Sequence, residues 1–392
     1  MPSTPRTPRK VAIVGISLSD CGRIDGPTPY ALHAQAARRA LSDSGLERSV
    51  IDGFGSAGLG ILAPVEVAEY LGLKPRWVDS TAVGGATWEV MAAHAADAIA
   101  AGHANAVLLV YGSTARADIT ARRRTANLSY GARGPLQFEV PYGHTLIAKY
   151  AMAARRHMHQ YGTTLEQLAS VAVQARANAA ANPDAMFREP VTVDEVLDGP
   201  MIADPFTKLH CCIRSDGGCA VLLAAEEYVR DTAKAPVWIL GTGEYVSHTT
   251  MSEWEDFTVS PAAVSGRLAF ERAGVTPADI DIAELYDAFT YMTLVTLEDL
   301  GFCAKGEGGP FVEKGRIGPG GELPVNTDGG GLSACHPGMR GLFLLVEAVR
   351  QLRGEAGGHQ VRRRDGAPPR LAVASGTGGW FCSSATVVLG RD

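Results

Sequence analysis

Four short segments of the 392-residue chain hold side chains and backbone suited to chemistry. Asp79-Ser80-Thr81-Ala82-Val83-Gly84-Gly85-Ala86 is a small-residue turn between a strand and an apolar helix. Such a turn admits close backbone approach, and the helix N–H groups beyond it favour negative charge. Ser215-Asp216-Gly217-Gly218-Cys219-Ala220 leads into an apolar strand at 221–224, and Glu284-Leu285-Tyr286-Asp287-Ala288-Phe289 follows another. Asn326-Thr327-Asp328-Gly329-Gly330-Gly331 precedes Cys335-His336-Pro337-Gly338. None has the spacing of a Walker loop, a nucleophile elbow or a dinucleotide fingerprint. Tyr286 and His336 are among the side chains here able to move a proton, although each residue type in such a place ordinarily packs or satisfies a turn. Asp287 can orient Tyr286 or cap the following helix. Asn326 can hold water or donate, or serve its glycine-rich turn.

For these segments to meet, the fold must carry them to the ends of strands. Residues 10–16 (KVAIVGI) form an apolar, β-branched run with one Gly near its end, the pattern of a buried strand. Residues 29–44 have apolar residues at helical spacing and end at Gly45, a C-cap signal, before a strand opens at 51–52. The order returns later, as strand 236–241, helix 261–273 closed by Gly274, and a strand opening at 280–281. At an offset of 229, Ala40, Gly45, Ile51 and Asp52 map onto Ala269, Gly274, Ile280 and Asp281. Each half also has an apolar helix near a glycine, 87–101 and 341–352, followed by strands at 106–111 and 371–374. The repeated order predicts an internal duplication. The alternation of strand and helix predicts an α/β fold of mostly parallel sheets covered on both faces. Between the halves, residues 114–137 are polar and include Arg122, Arg123, Arg124, Gly131 and Gly134, either a solvated loop or a contact for an anionic cofactor. Residues 144–161 and 164–182 read as two amphipathic helices, the second with Thr163 as N-cap and Glu166 at capping-box spacing. The expected organisation is a disordered tail at 1–9, a first half at 10–114 and 206–232, an inserted loop domain at 115–205, and a second half at 233–392.

Composition bounds the function classes. With 36 Lys and Arg against 42 Asp and Glu the net charge is −6, which argues against a general nucleic-acid binder. The 45 glycines follow no G-X-Y period and so serve turns and close contacts. The seven cysteines, Cys21, Cys211, Cys212, Cys219, Cys303, Cys335 and Cys382, include no C-x-x-C or Cys/His spacing for zinc, so no metal is expected. They read as reduced thiols of a cytoplasmic protein. The start, MPSTPRTPRK, is basic and Pro-rich, with the character of neither a signal peptide nor a membrane span.

Over residues 10–390 the chain resembles the thiolase superfamily, in its sterol-carrier-protein or lipid-transfer-protein branch. The residues that carry the resemblance are Pro141-Tyr142-Gly143, the SDGG run at Ser215, ELYDAF at Glu284, NTDGGG at Asn326, and HPGMRG at His336. The resemblance implies a duplicated fold of layered αβαβα architecture with an inserted loop domain, a homodimer, and work on coenzyme A thioesters. Coenzyme A enters as part of the substrate, with no permanently bound cofactor.

The departures from the family redirect the chemistry. Thiolases place a nucleophilic cysteine at the N-terminus of the buried helix, and alignment of the small-residue turn puts Ala82 there. Ser375 falls where a second, basic cysteine is usual, and Tyr286 where the family has a histidine; His336 keeps the histidine of the glycine-histidine-proline segment. An enzyme thioester at Ala82 is thereby excluded. A retro-aldol cleavage of a β-hydroxyacyl-CoA needs none: a base takes the β-hydroxyl proton, the Cα–Cβ bond breaks, and a donor stabilises the thioester enolate. Tyr286 and His336 are the candidates for these roles, with Asn326, Asp287 and Ser375 as supporting residues. Such cysteine-less relatives resemble aldolases of steroid side-chain acyl-CoAs that pair with a small zinc-containing DUF35 protein. The alternatives are an acyltransferase using Cys335 or Cys382, and a non-catalytic scaffold that binds acyl-CoA.

Overall fold

The computed structural model describes residues 8–60, 62–121, 134–143, 145–363 and 365–391. The first half runs through β1 (Val11–Leu18), α1 (Pro29–Ser44), β2 (Gly53–Gly55), β3 (Trp77–Asp79), α2 (Thr87–Ala100) and β4 (Ala106–Ser113). An excursion containing α3 (Leu146–Tyr161) and α4 (Leu165–Ala180) follows, and β5 (Gly217–Ala225) completes that half. The second half holds β6 (Val237–Val246), α5 (Ala262–Ala273), β7 (Ile282–Leu285), α6 (Thr290–Asp299), α7 (Gly341–Arg353), β8 (Leu371–Gly378) and β9 (Ser383–Gly390).

The strands form one sheet in the order β3-β2-β4-β5-β1-β6-β9-β8-β7. Its two halves repeat the same pattern outward from the central pair β1–β6. In the first, β1 pairs antiparallel with β5, β5 antiparallel with β4, β4 parallel with β2, and β2 parallel with β3. In the second, β6 pairs antiparallel with β9, β9 antiparallel with β8, β8 parallel with β7, and Ala283 of β7 makes a parallel bridge to Val325. The duplication therefore extends to pairing direction. It also extends to one contact: a Cβ on Gly15 of β1 would lie 2.4 Å from the Ala40 carbonyl, and one on Gly241 of β6 would lie 2.3 Å from the Ala269 carbonyl. In each half a strand glycine lets the covering helix settle on the sheet. The expectation of mostly parallel sheets is corrected. β5 and β9 each run against both neighbours, so only the outer strands are parallel.

The helices form three layers. α1 and α5 cover the outer faces of the sheet halves; α2 and α7 touch each other and strands of both halves, and so form the central layer. Capping explains the ends of α1. Thr28 accepts from the Ala31 N–H at 3.2 Å, and Gly45, at φ +73°, donates to the Leu41 carbonyl. The capping box of α4 sits one residue beyond the expected position. Thr164 and Gln167 exchange the reciprocal bonds, while the Thr163 hydroxyl meets His157 Nδ1 at 2.8 Å. Arg122, Arg123, Arg124, Gly131 and nearly all of the tail at 1–9 lie outside the described residues. Among the described residues no helix is long and apolar enough to cross a membrane.

Candidate active site

Tyr286 follows directly on β7, the strand held between β8 and Val325. Its backbone N–H donates to the Ser375 carbonyl at 3.0 Å, which fixes where the ring leaves the sheet. The ring is 5% exposed and lies against Gly85: a Cβ there would be 2.4 Å from both Cε2 and Cζ of the ring and 2.4 Å from the Thr377 carbonyl. Glycine at 85 is thus required for the tyrosine to occupy this place. Burial holds the phenol proton on well above the usual tyrosine range, so Tyr286 is a neutral donor at pH 7.

His336 stands edge-on to that ring, with centroids 5.6 Å apart and planes at 86°. Its backbone N–H donates to Ser215 Oγ at 2.8 Å, and the next carbonyl, of Pro337, accepts from the Tyr111 hydroxyl at 2.7 Å. The SDGG segment and β4 therefore both anchor the histidine turn. As a residue His336 is half-buried, but its Nε2 is fully buried without a hydrogen-bond partner. Burial, reinforced by the Arg340 charge, lowers its pKa to about 4. The pair thus consists of a neutral phenol and a neutral imidazole with a free ring nitrogen.

Arg340 organises what lies behind them. Fully buried, it donates through Nη2 to both Asp328 oxygens at 2.6 and 2.7 Å and through Nη1 to the Cys335 carbonyl at 2.8 Å. Asp287 lies 3.6 Å from Arg340 Nε. Rather than orienting Tyr286 or capping α6, Asp287 accepts from Gly331 and Leu332 N–H at 2.7 and 3.2 Å and so caps the short turn Gly330–Ser333. Burial raises its pKa to about 7. Asn326, at φ +51°, accepts the Leu285 N–H at 2.7 Å through its side-chain oxygen, which ties the glycine-rich turn to the end of β7. Thr327 extends the tie, its hydroxyl lying 2.7 Å from Glu284 and 2.8 Å from Glu347 of α7.

The structure thus brings Tyr286 and His336 together and gives Asn326 and Asp287 scaffolding contacts. Ser375 is placed elsewhere: its hydroxyl meets Thr386 at 3.0 Å, and Thr386 meets Ser265 of α5. Ala82 is exposed in the turn that leads to Gly84 and Gly85. Of the thiols near the site, Cys21 alone is lowered, by its hydrogen bond with Cys335. Burial pushes Cys382 to about 11, Cys212 to about 12, and Cys335 well up. Sequence reading passed over Arg340 and Glu89. Arg340 stood in plain view within HPGMRG, and Glu89 is a charge in the first turn of an otherwise largely apolar helix, four residues after Gly85.

A family model for the thiolase C-terminal domain-like family matches residues 243–391. An acetyl-CoA acetyltransferase of Methanothermobacter thermautotrophicus is 35% identical over 90% of this chain and 93% of its own. A 17-hydroxy-3-oxo-4-pregnene-20-carboxyl-CoA lyase of Mycobacterium tuberculosis is 34% identical over 88% of this chain and 92% of its own. Among solved structures, the Ltp2-ChsH2(DUF35) aldolase superposes with a TM-score of 0.87 at 30% identity, covering 98% of this chain and 99% of its own.

Proposed function

The chain belongs to the thiolase superfamily, and we propose that, as a lyase of that superfamily, it cleaves the Cα–Cβ bond of a β-hydroxyacyl-CoA with a steroid or related lipid side chain. The observation that carries this reading is the pairing of a neutral phenol with a neutral imidazole beside a turn that has Ala82 where the nucleophile would stand. The half-buried His336 imidazole takes the β-hydroxyl proton, and the β-carbon becomes a carbonyl as the Cα–Cβ electron pair moves into the thioester. The Tyr286 hydroxyl donates to the enolate oxygen, and protonation at Cα releases the shortened acyl-CoA. Every atom is accounted for without a covalent intermediate or an external oxidant. The lyase relative supports the substrate class, since its name places a hydroxyl at carbon 17 and a carboxyl-CoA at carbon 20 of a pregnene. We assign the chain to the cytoplasm, in keeping with its seven free cysteines.

The superposed aldolase pairs its thiolase-like chain with a DUF35 protein, and we extend that arrangement to a homodimer of this chain with a small DUF35-type partner. The likeness to an acetyltransferase favours acyl transfer as a second reading. It would require one of the thiols that burial holds protonated. The deciding experiment is mass spectrometry of products from a steroid 17-hydroxy acyl-CoA, with and without a co-purified partner. A ketone plus a shortened acyl-CoA supports the lyase. Turnover that iodoacetamide abolishes without blocking substrate binding supports the transferase, and absence of turnover with the partner present leaves a binding scaffold.

A further inference from the structure

Glu89 lies on α2, one helical turn beyond the glycine that supports Tyr286, and the proposed reaction gives it no role. Its carboxyl is fully buried, and neither oxygen has a hydrogen-bond partner. Three site-bearing segments converge on it. A Cβ on Gly376 of β8 would lie 2.1 Å from Oε2, and one on Gly341, the first residue of α7, would lie 2.4 Å from the same oxygen. That Gly341 position is also 2.5 Å from the Gly85 carbonyl, so the carboxyl and this carbonyl border the same small space. Two glycines thus make room for a polar group that an apolar side chain would replace at lower cost to the fold.

The surroundings specify which form of the carboxyl fits. A carboxylate needs donors; burial outweighs what the Glu89 backbone N–H supplies, and the Gly85 carbonyl that borders the same space only accepts. A carboxylic acid has one O–H to give and an acceptor within reach. We propose that Glu89 is a positioning residue that acts as a neutral acid, its O–H donating to the Gly85 carbonyl and latching the Ala82–Ala86 turn beneath Tyr286. This inference rests on the lyase reading only for its catalytic readout. Among the described residues no cation compensates a charge on the carboxyl. Arg340, next to Gly341, is committed to Asp328 and the Cys335 carbonyl, while Tyr286 beyond Gly85 and Cys219 on β5 are held neutral by burial. Desolvation raises the Glu89 pKa to about 8. Above that pH the carboxyl turns anionic beside a carbonyl, and the latch opens.

Two variants and two readouts test this, using the chain with its partner. Glu89→Gln keeps a donor that cannot ionise, and Glu89→Met keeps the volume without a donor. Between pH 7 and pH 9, wild-type kcat/KM is expected to fall about 10-fold, the change in the neutral fraction of an acid with a pKa near 8. Glu89→Gln should hold its rate across that range, and Glu89→Met should be at least 10-fold slower than Glu89→Gln at every pH. Hydrogen exchange at pH 9 supplies a readout without turnover: peptides covering 79–87 should exchange faster in wild type and Glu89→Met than in Glu89→Gln. An unchanged alkaline limb in Glu89→Gln, or equal exchange in all three proteins, overturns the proposal. If no substrate turns over but the exchange differs as expected, the latch stands and the lyase reading falls. Should Glu89→Gln fail to fold, the exchange of the same peptides in wild type at pH 7 and 9, corrected for intrinsic rates, decides: no excess at pH 9 refutes the latch.

Discussion

The assignment of His336 as the base makes a demand that an exposed histidine would not meet. Its pKa is lowered from 6.5 to about 4, because burial and the Arg340 charge both oppose an imidazolium. The group is active when neutral, so activity is full above the folded pKa and is lost as pH falls through it. At pH 5 a base with a pKa near 4 is about 90% neutral, whereas one at 6.5 is only about 3% neutral. The two cases therefore differ roughly 30-fold at a single pH. The assay is kcat/KM for cleavage between pH 4 and 7, which reports ionisations of the free enzyme, with circular dichroism at each point to confirm folding. The control matters because a buried neutral histidine also lowers stability below pH 6.5, where the unfolded chain binds the proton first. Activity near its plateau at pH 5 is the expected result. A decline centred on pH 6.5 in folded protein would refute the buried-base argument, as would a His336→Gln variant that retains the wild-type rate.

Other consequences follow from the same geometry. Tyr286→Phe keeps the ring on Gly85 and removes the donor, so kcat should fall about 10²–10⁴-fold while thermal stability changes little; turnover within a few-fold of wild type excludes Tyr286 from the chemistry. Intact-protein mass spectrometry after substrate addition should show the unmodified mass, and an acyl adduct on Cys335 or Cys382 would establish the transferase instead. Arg340→Met strands Asp328 and Asp287 in the interior and should cost about 3–5 kcal/mol in denaturant unfolding; a loss below about 1 kcal/mol would show that the buried pair contributes little.

How far the sequence disclosed this arrangement depended on the kind of signal. Local backbone chemistry was legible: the α1 helix and its Gly45 cap fall where the apolar spacing and the glycine place them. The duplication was legible from element order, and the carbonyl contacts at Ala40 and Ala269 give its physical content. Strand direction was not, because β5 and β9 return antiparallel through connections whose course no periodicity records. Side-chain destinations were legible only in part. Asp287 and Asn326 sit within three residues of β7 or bond directly to it, yet which backbone amides they would satisfy depended on the glycine-rich turn folding back over 40 residues away. Ser375 belongs to a strand whose alternate residues face opposite ways, and its motif alone did not say which face it presents.

On the proposed reading, Ala82 in the place of a nucleophilic cysteine bears on the whole site and not on one position. A thiolate nucleophile calls for a nearby cation or an imidazolium partner. Here the buried cation, Arg340, is held by Asp328 and a carbonyl, and burial first and the Arg340 field second keep His336 from charging. Burial keeps Tyr286 and Glu89 protonated as well. At neutral pH the groups around the turn thus carry almost no free charge. Such a site suits a reaction whose only charge is the one that develops on the enolate oxygen, because an oriented phenol then meets it without competition from a fixed anion. It is poorly suited to forming and holding a thiolate. Ala82, the neutral imidazole and the neutral phenol therefore belong to one electrostatic design, and each of them makes sense only with the others.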